Sequence, residues 1–177
     1  MASDEKESFN FKIVLIGNPG VGKTSLINKY VTNQFKEKYI ETIGVNIMVK
    51  DITDIKGKKV QLSIWDVAGQ EKWGRVRSMY YRGSSAALVV FDLTRPDTYL
   101  AVPDFVQDYK ESIHRDDPVL VLLGNKIDLE QKRKVENEKG KEMKKLINAL
   151  EYYETSAKTG ALVEDAFLKI AEKLVGK

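Results

Sequence analysis

Along this chain apolar residues recur in two rhythms, and the changes between them mark the elements. Phe11 to Gly17, FKIVLIG, is a short apolar run rich in β-branched side chains and stopped by a glycine- and proline-containing loop, which predicts a buried strand. Beyond the loop, Leu26, Ile27 and Tyr30 recur at helical spacing and predict a helix over Lys23 to Val31. Val45 to Asp54 and Lys59 to Asp66 alternate instead, with Val45, Ile47 and Val49 on one face of the first and Val60, Leu62 and Ile64 on one face of the second. Around Lys56-Gly57-Lys58 the two read as an antiparallel hairpin. AALVVFD (Ala86 to Asp92) and VLVLLGN (Val119 to Asn125) are almost continuously apolar, as parallel strands covered on both faces are. Helical periods run over Pro103 to His114, Lys139 to Leu150 and Val163 to Val175, and Tyr152 to Thr155 reads as a last short strand. Pro103 falls in a first helical turn, where a missing N–H costs nothing. Strands alternating with helices predict an α/β domain: a six-stranded, mostly parallel sheet with one antiparallel edge strand and helices on both faces.

Length and composition narrow this further. The 177 residues suit one domain with a good core, predicted over residues 9–177 after a disordered, charged tail at 1–8. The tail lacks the apolar centre of a signal peptide, and no apolar run approaches membrane-spanning length. A net charge of +3 with mixed signs gives no nucleic-acid surface. The densest basic cluster, Lys132-Arg133-Lys134, reads as a solvated loop before a helix. The absence of cysteine excludes disulfides, thiolate metal sites and a cysteine nucleophile. It also leaves the chain as written with no thiol for a lipid anchor. A cytoplasmic monomer is expected, peripheral at membranes only through a partner.

Four segments carry candidate chemistry. In GNPGVGKTS, Gly17 to Ser25, glycines let successive N–H groups approach an anion, Lys23 adds a charge for the outer phosphates, and Thr24 offers a hydroxyl to Mg²⁺. Its setting between a strand and a helix start adds the helix dipole. In DVAGQE, Asp66 to Glu71, a carboxylate can hold a water on Mg²⁺, Gly69 can present an N–H to a terminal phosphate, and Gln70 can orient an attacking water. NKID, Asn125 to Asp128, ends in a carboxylate that can accept from guanine N1–H and its 2-amino group, a donor pair adenine lacks. TSAKTG, Thr155 to Gly160, sets the Ala157 N–H to meet guanine O6.

In this order the four segments resemble the Ras superfamily of small GTPases over about residues 9 to 175, most closely its Rab branch, whose switch segments IGVNIM, LSIWDVAGQE and YYRGS are similar to. The resemblance implies the P-loop NTPase fold, GTP/GDP and Mg²⁺ as ligands, and phosphate contacts from Gly20, Val21, Gly22, Lys23, Thr24 and Ser25. It further implies Thr42 as a Mg²⁺ ligand and γ-phosphate sensor, Phe35 against the guanine edge, and Tyr39 over the phosphates. Asn125 and Ser156 fall within the base motifs, and the stems of Lys126 and Lys158 would flank the base. Slow hydrolysis would use Lys23 and Gln70, with no arginine of the chain assignable as a finger. An exchange factor, an activating protein and effectors would meet the two switches, in membrane trafficking or related signalling.

The chain departs from the family at Pro19, where Ras has a glycine. Binding is expected to survive, while the ring could crowd Gln70, leaving hydrolysis open. Ile47 stands where the Rab aromatic triad has phenylalanine; its other members, Trp65 and Tyr80, are present. Trp65 and Trp73 read as a partner-facing patch. Two rival readings remain: a module parked in the GTP form, and a P-loop kinase, for which NKID and SAK have no job.

Overall fold

The computed structural model describes residues 7–38, 40–69 and 74–176. Its strands are β1 (Ser8–Ile16), β2 (Val45–Ile55), β3 (Lys58–Val67), β4 (Ala86–Asp92), β5 (Val119–Asn125) and β6 (Glu151–Thr155). The helices are α1 (Lys23–Thr32), α2 (Gly74–Tyr81), α3 (Pro96–Leu100), α4 (Val102–Ile113), α5 (Asn137–Leu146) and α6 (Val163–Val175), and a 3₁₀ segment covers Ile127–Lys132.

The strands form one six-stranded sheet in the order β2-β3-β1-β4-β5-β6. Only the β2–β3 pair is antiparallel, closed by the two-residue turn Lys56-Gly57, whose φ angles of 52° and 80° suit a hairpin loop. Asp54 Oδ1 accepts from the Gly57 N–H at 2.7 Å and fixes the turn. The remaining pairs are parallel, as βαβ crossovers require.

β4 shows why its sequence is uninterrupted by polar residues. Ala86, Leu88 and Val90 face one core with α1 and α6, whereas Ala87, Val89 and Phe91 face a second core with α2, α4 and α5. Tyr30 of α1 stacks flat on Phe167 of α6, ring centroids 4.0 Å apart, and ties the two helices of the first face together.

Several expectations shift. Met48 and Ile52 of β2 pack on the first core, leaving Ile47 and Val49 of the alternating set exposed, because α1 and α6 reach this edge strand on the opposite face. α5 stops at Leu146 rather than Leu150. Asn148 adopts φ 55°, its N–H reaching the Lys145 carbonyl and the Ala149 N–H the Lys144 carbonyl, a Schellman end. His114 closes α4 in the same way. α2 and α3 have no counterpart in the periodicity, being eight and five residues long. Arg133 does not lie in a solvated loop: its guanidinium makes a two-pronged contact with both carboxylate oxygens of Glu154, with 11% of its side chain exposed.

Candidate functional site

Parallel strands deliver their last residues to one edge of the sheet, and three of those residues stand in register: Asp92 of β4 opposite Asn125 of β5, and Asn125 opposite Thr155 of β6. Beside them β1 ends at Ile16 and turns through Gly17 to Gly22 into α1. The loop's carbonyls are held by side chains. Lys23 Nζ donates to the carbonyls of Gly17 and Asn18, both at 2.9 Å. Lys126 Nζ donates to that of Gly20 at 2.8 Å, and Asn125 Nδ2 to that of Val21 at 2.9 Å. In a trans peptide a carbonyl and the next N–H point opposite ways, so the Lys126 and Asn125 ties set the directions of the Val21 and Gly22 N–H groups, whereas the Asn18 carbonyl precedes Pro19, which has none. Gly22 admits this packing only because it lacks a side chain: a Cβ there would lie 2.3 Å from Asn125 Nδ2.

In front of the loop is a cavity of about 350 Å³, with Lys23, Thr24, Thr42, Asp66 and Gly69 in its wall. Burial pushes the Lys23 ammonium down to about 8; the Asp66 carboxylate opposes this shift and the Arg77 charge adds to it. A buried cation with a single carboxylate beside it favours an anion in the cavity. Thr24 Oγ1 and Thr42 Oγ1 are 2.7 Å apart, and both approach Asp66 Oδ2, the Thr42 contact at 3.3 Å. Burial raises the Asp66 carboxyl, against the pull of Thr24, Lys23 and Thr42. Its Oδ1 is buried with no hydrogen-bond partner among the described residues. Two hydroxyls and one carboxylate, all hard oxygens, fit a Mg²⁺ ion that completes its shell with phosphate and water. No group of three or more His, Cys, Asp or Glu side chains suited to a metal occurs among the described residues.

Gly69 lies directly on the loop. A Cβ there would fall 2.3 Å from the Gly17 carbonyl oxygen and 2.8 Å from Pro19 N. Its carbonyl accepts from Arg77 Nη1 at 3.3 Å, and Arg77 Nε lies 3.4 Å from Asp108 Oδ2 on α4.

A second cavity of about 430 Å³ adjoins the first through Gly20, Gly22, Ser25 and Lys36. Phe35, Asp128, Ala157 and Lys158 line it. Asp128 Oδ1 accepts from Ser156 Oγ at 2.7 Å, and Ser156 Oγ accepts from the Thr159 N–H at 3.0 Å, so the carboxylate is oriented by a hydroxyl that is itself fixed. Asn125 Oδ1 accepts from Thr155 Oγ1 at 3.2 Å. Lys158 pairs with Glu37 at 3.7 Å, an exposed contact of little energetic weight.

The structure thus brings together Gly20, Val21, Gly22, Lys23, Thr24, Ser25, Phe35, Thr42, Asp66, Gly69, Asn125, Lys126, Asp128, Ser156, Ala157 and Lys158 around two joined cavities. Tyr39, Gln70 and Trp73 lie outside the described residues. Trp65 is half-buried, with Lys12 Nζ 3.7 Å above its ring and its Nε1–H donated to Ser63 Oγ at 3.0 Å. Sequence reasoning missed Asp92, which is fully buried and lies 2.7 Å from Lys126 Nζ. The signal was present: a carboxylate closing an apolar strand next to the one that carries NKID. It also missed Arg77 and Arg95, the latter donating to the Pro19 carbonyl.

A model of the Ras family matches residues 12–176. Among curated relatives, the Ras-related protein RabJ of Dictyostelium discoideum is 42% identical over 168 residues, covering 95% of this chain and 64% of RabJ. Human Rab-17 is 40% identical over 165 residues, covering 93% of this chain and 76% of Rab-17. Human Rab-30 is 38% identical over 175 residues, covering 99% of this chain and 85% of Rab-30. The chain therefore spans somewhat under two thirds of RabJ and about three quarters of Rab-17. With this likeness running through both cavities and all six strands, the chain belongs to the Ras family, and within it to the Rab-like small GTPases.

Proposed function

We propose that this protein is a GTP/GDP switch that hydrolyses bound GTP slowly and presents two loops to partners. The observation carrying this reading is the junction of the two cavities at Gly20, Gly22 and Ser25, one side walled by Thr24, Thr42 and Asp66 and the other by Asp128 and Ala157. A phosphate chain and a base fit such a pair. The N–H groups from Gly20 to Ser25 cradle the phosphates, with Lys23 at the outer ones. Asp128 accepts from guanine N1–H and the 2-amino group, Ala157 donates to O6, and Phe35 with the stems of Lys126 and Lys158 encloses the ring; Asn125 and Ser156 hold this arrangement, and Tyr39 covers the phosphates. Thr24 and Thr42, with Asp66 through a water, would hold Mg²⁺, which supplies positive charge to the phosphate oxygens.

Gln70 orients a water whose oxygen bonds to the γ-phosphorus as the bond to the β–γ bridging oxygen breaks; GDP leaves with the electron pair and the water's protons pass to phosphate and solvent. Lys23 and the loop amides stabilise the charge that develops. Thr42 and Gly69 contact the γ-phosphate before cleavage, and their segments relax once it leaves. An exchange factor, an activating protein and effectors would read those segments, on a cytoplasmic monomer working in membrane trafficking or related signalling. A second reading, a module parked with GTP, draws support from the close approach of Pro19 to Gly69, the neighbour of Gln70.

One experiment separates the two. Protein loaded with GTP and Mg²⁺ and freed of excess nucleotide is followed by chromatography beside Gln70→Leu. Slow conversion to GDP that the variant abolishes supports the switch. Retention of GTP in both would leave the parked module, and failure to bind GTP would end both readings.

A further inference from the structure

The carbonyl of Pro19 is tied by neither lysine and not by Asn125. It accepts instead from Arg95 Nη1 at 3.1 Å, across a sequence separation of 76 residues. Arg95 follows β4 and caps α3; its Nη2 lies 3.1 Å from Asp97 Oδ2, and a Cβ on Gly20 would sit 3.4 Å from Nη1, so the guanidinium covers the back of the loop tip. The same turn holds Thr94, whose N–H and hydroxyl both donate to Asp92 Oδ1, at 2.8 and 2.7 Å. Asp92 Oδ2 in turn faces Lys126 Nζ at 2.7 Å. One buried carboxylate therefore anchors both the turn that presents Arg95 and the lysine that ties Gly20.

We infer that Arg95 is a positioning residue for nucleotide binding: by holding the Pro19 carbonyl outward it aims the Gly20 N–H at the phosphates. Proline gives this tie particular weight. Having no N–H, Pro19 contributes no donor to the cradle, so the Gly20 N–H is the first donor after the tip. The Pro19–Gly20 peptide plane sets its direction, and the Arg95 contact is the charge-assisted bond fixing that plane. The other loop ties come from residues of the nucleotide motifs themselves, whereas Arg95 lies in a turn that belongs to none of them. The inference deepens the proposed function and rests on it.

Release of a fluorescent GDP analogue from the Mg²⁺-bound protein is measured for wild type, Arg95→Ala, Arg95→Lys and Arg95→Gln, together with the ³¹P resonances of bound GDP and the preference for GDP over inosine diphosphate, which lacks the 2-amino group. Loss of one charge-assisted hydrogen bond corresponds to about tenfold faster release for Arg95→Ala. The β-phosphate resonance should move in that variant and return toward its wild-type position in Arg95→Lys, whose release should stay within about threefold of wild type. Preference for GDP over the inosine analogue should be unchanged throughout, because the base cavity is untouched. If Arg95→Ala does not fold, Arg95→Gln, which keeps a donor without the charge, should still show faster release and a displaced resonance. Release within about twofold of wild type with unmoved ³¹P resonances, or loss of base preference in step with affinity, would overturn the inference. Wild type that binds no guanine nucleotide would overturn the proposed function as well.

Discussion

Asp92 offers the sharpest test of how the site is held. Its side chain is fully buried, receives two hydrogen bonds from Thr94, and faces Lys126 Nζ at 2.7 Å. Asp92→Ala deletes all of these and leaves the ammonium, among the described residues, with the Gly20 carbonyl. Removing one member of a buried pair costs about 3–5 kcal/mol. The Lys126 side chain is 32% exposed and can recover some hydration, so the lower end, about 3 kcal/mol, is expected. Asp92→Asn keeps an acceptor for Thr94 and loses only the charge, at about 1–2 kcal/mol. For a chain of this size 1 kcal/mol moves the thermal midpoint by about 2–4 °C, giving a drop of about 6–12 °C for alanine and about a third to two thirds of that for asparagine. The assay is thermal unfolding at one fixed excess of GDP, since bound ligand adds its own stabilisation. GDP release, measured in parallel, should be faster for both variants. An alanine variant within about 1 kcal/mol of wild type, or an asparagine variant as unstable as the alanine one, would refute this account of the carboxylate.

Other substitutions probe separate contacts. Gly69→Ala places a Cβ 2.3 Å from the Gly17 carbonyl oxygen, a backbone atom that cannot swing aside, so single-turnover GTP hydrolysis should fall by at least about tenfold and the protein should lose about 1–3 kcal/mol in unfolding. Gly140→Ala adds a good helix former inside α5, worth about 1 kcal/mol. Its Cβ would nevertheless meet the Tyr152 ring at 2.0 Å, and the clash should win, with a net loss of about 1–3 kcal/mol in urea unfolding. Ser156→Ala frees the Asp128 carboxylate and the Thr159 N–H, and calorimetric titration should give weaker GDP binding with a reduced preference over inosine diphosphate. Burial would raise the Glu154 carboxyl, but bonds from Arg133, Asn137 and Tyr152 hold it below its ordinary value of 4.5. Its stabilising contribution is therefore present above that value and lost as pH falls through the lower folded-state one, so Glu154→Gln should flatten the acid limb of a stability profile.

The parallel strands and long helices were legible because burial on both faces, or on one stripe, forces a period on the sequence. β4 and β5 are apolar without interruption because each lies between two cores. α2 and α3 were not legible. Within GRVRSMYY only Tyr81 is buried, and α3 buries only Thr98, so neither carries an apolar stripe. The end of α5 was misjudged because Ile147 is buried and continues the apolar period, whereas the backbone turns at Asn148. In the site, the motif residues were legible because phosphate, Mg²⁺ and guanine each demand particular groups at fixed spacing. Their supports were not. Asp92 and Arg95 reach the loop through strand register and a turn, contacts made across more than 70 positions of chain in the case of Arg95.

That difference bears on why a proline can stand at the loop tip. A backbone cradle depends on the direction of its peptide planes more than on the side chains above it. In this loop the planes are set by Lys23, Arg95, Lys126 and Asn125 acting on successive carbonyls from Gly17 to Val21. Proline removes a donor but leaves its carbonyl, so it remains compatible with every one of these ties. It also fixes φ at the tip, which lowers the entropy lost when the loop orders. Binding and hydrolysis are therefore separable at this position. The loop carbonyls are tied by side chains other than Gln70, to which the proposed function gives the water, and the two should respond to different substitutions: Arg95→Ala should change nucleotide release, and Gln70→Leu should change turnover.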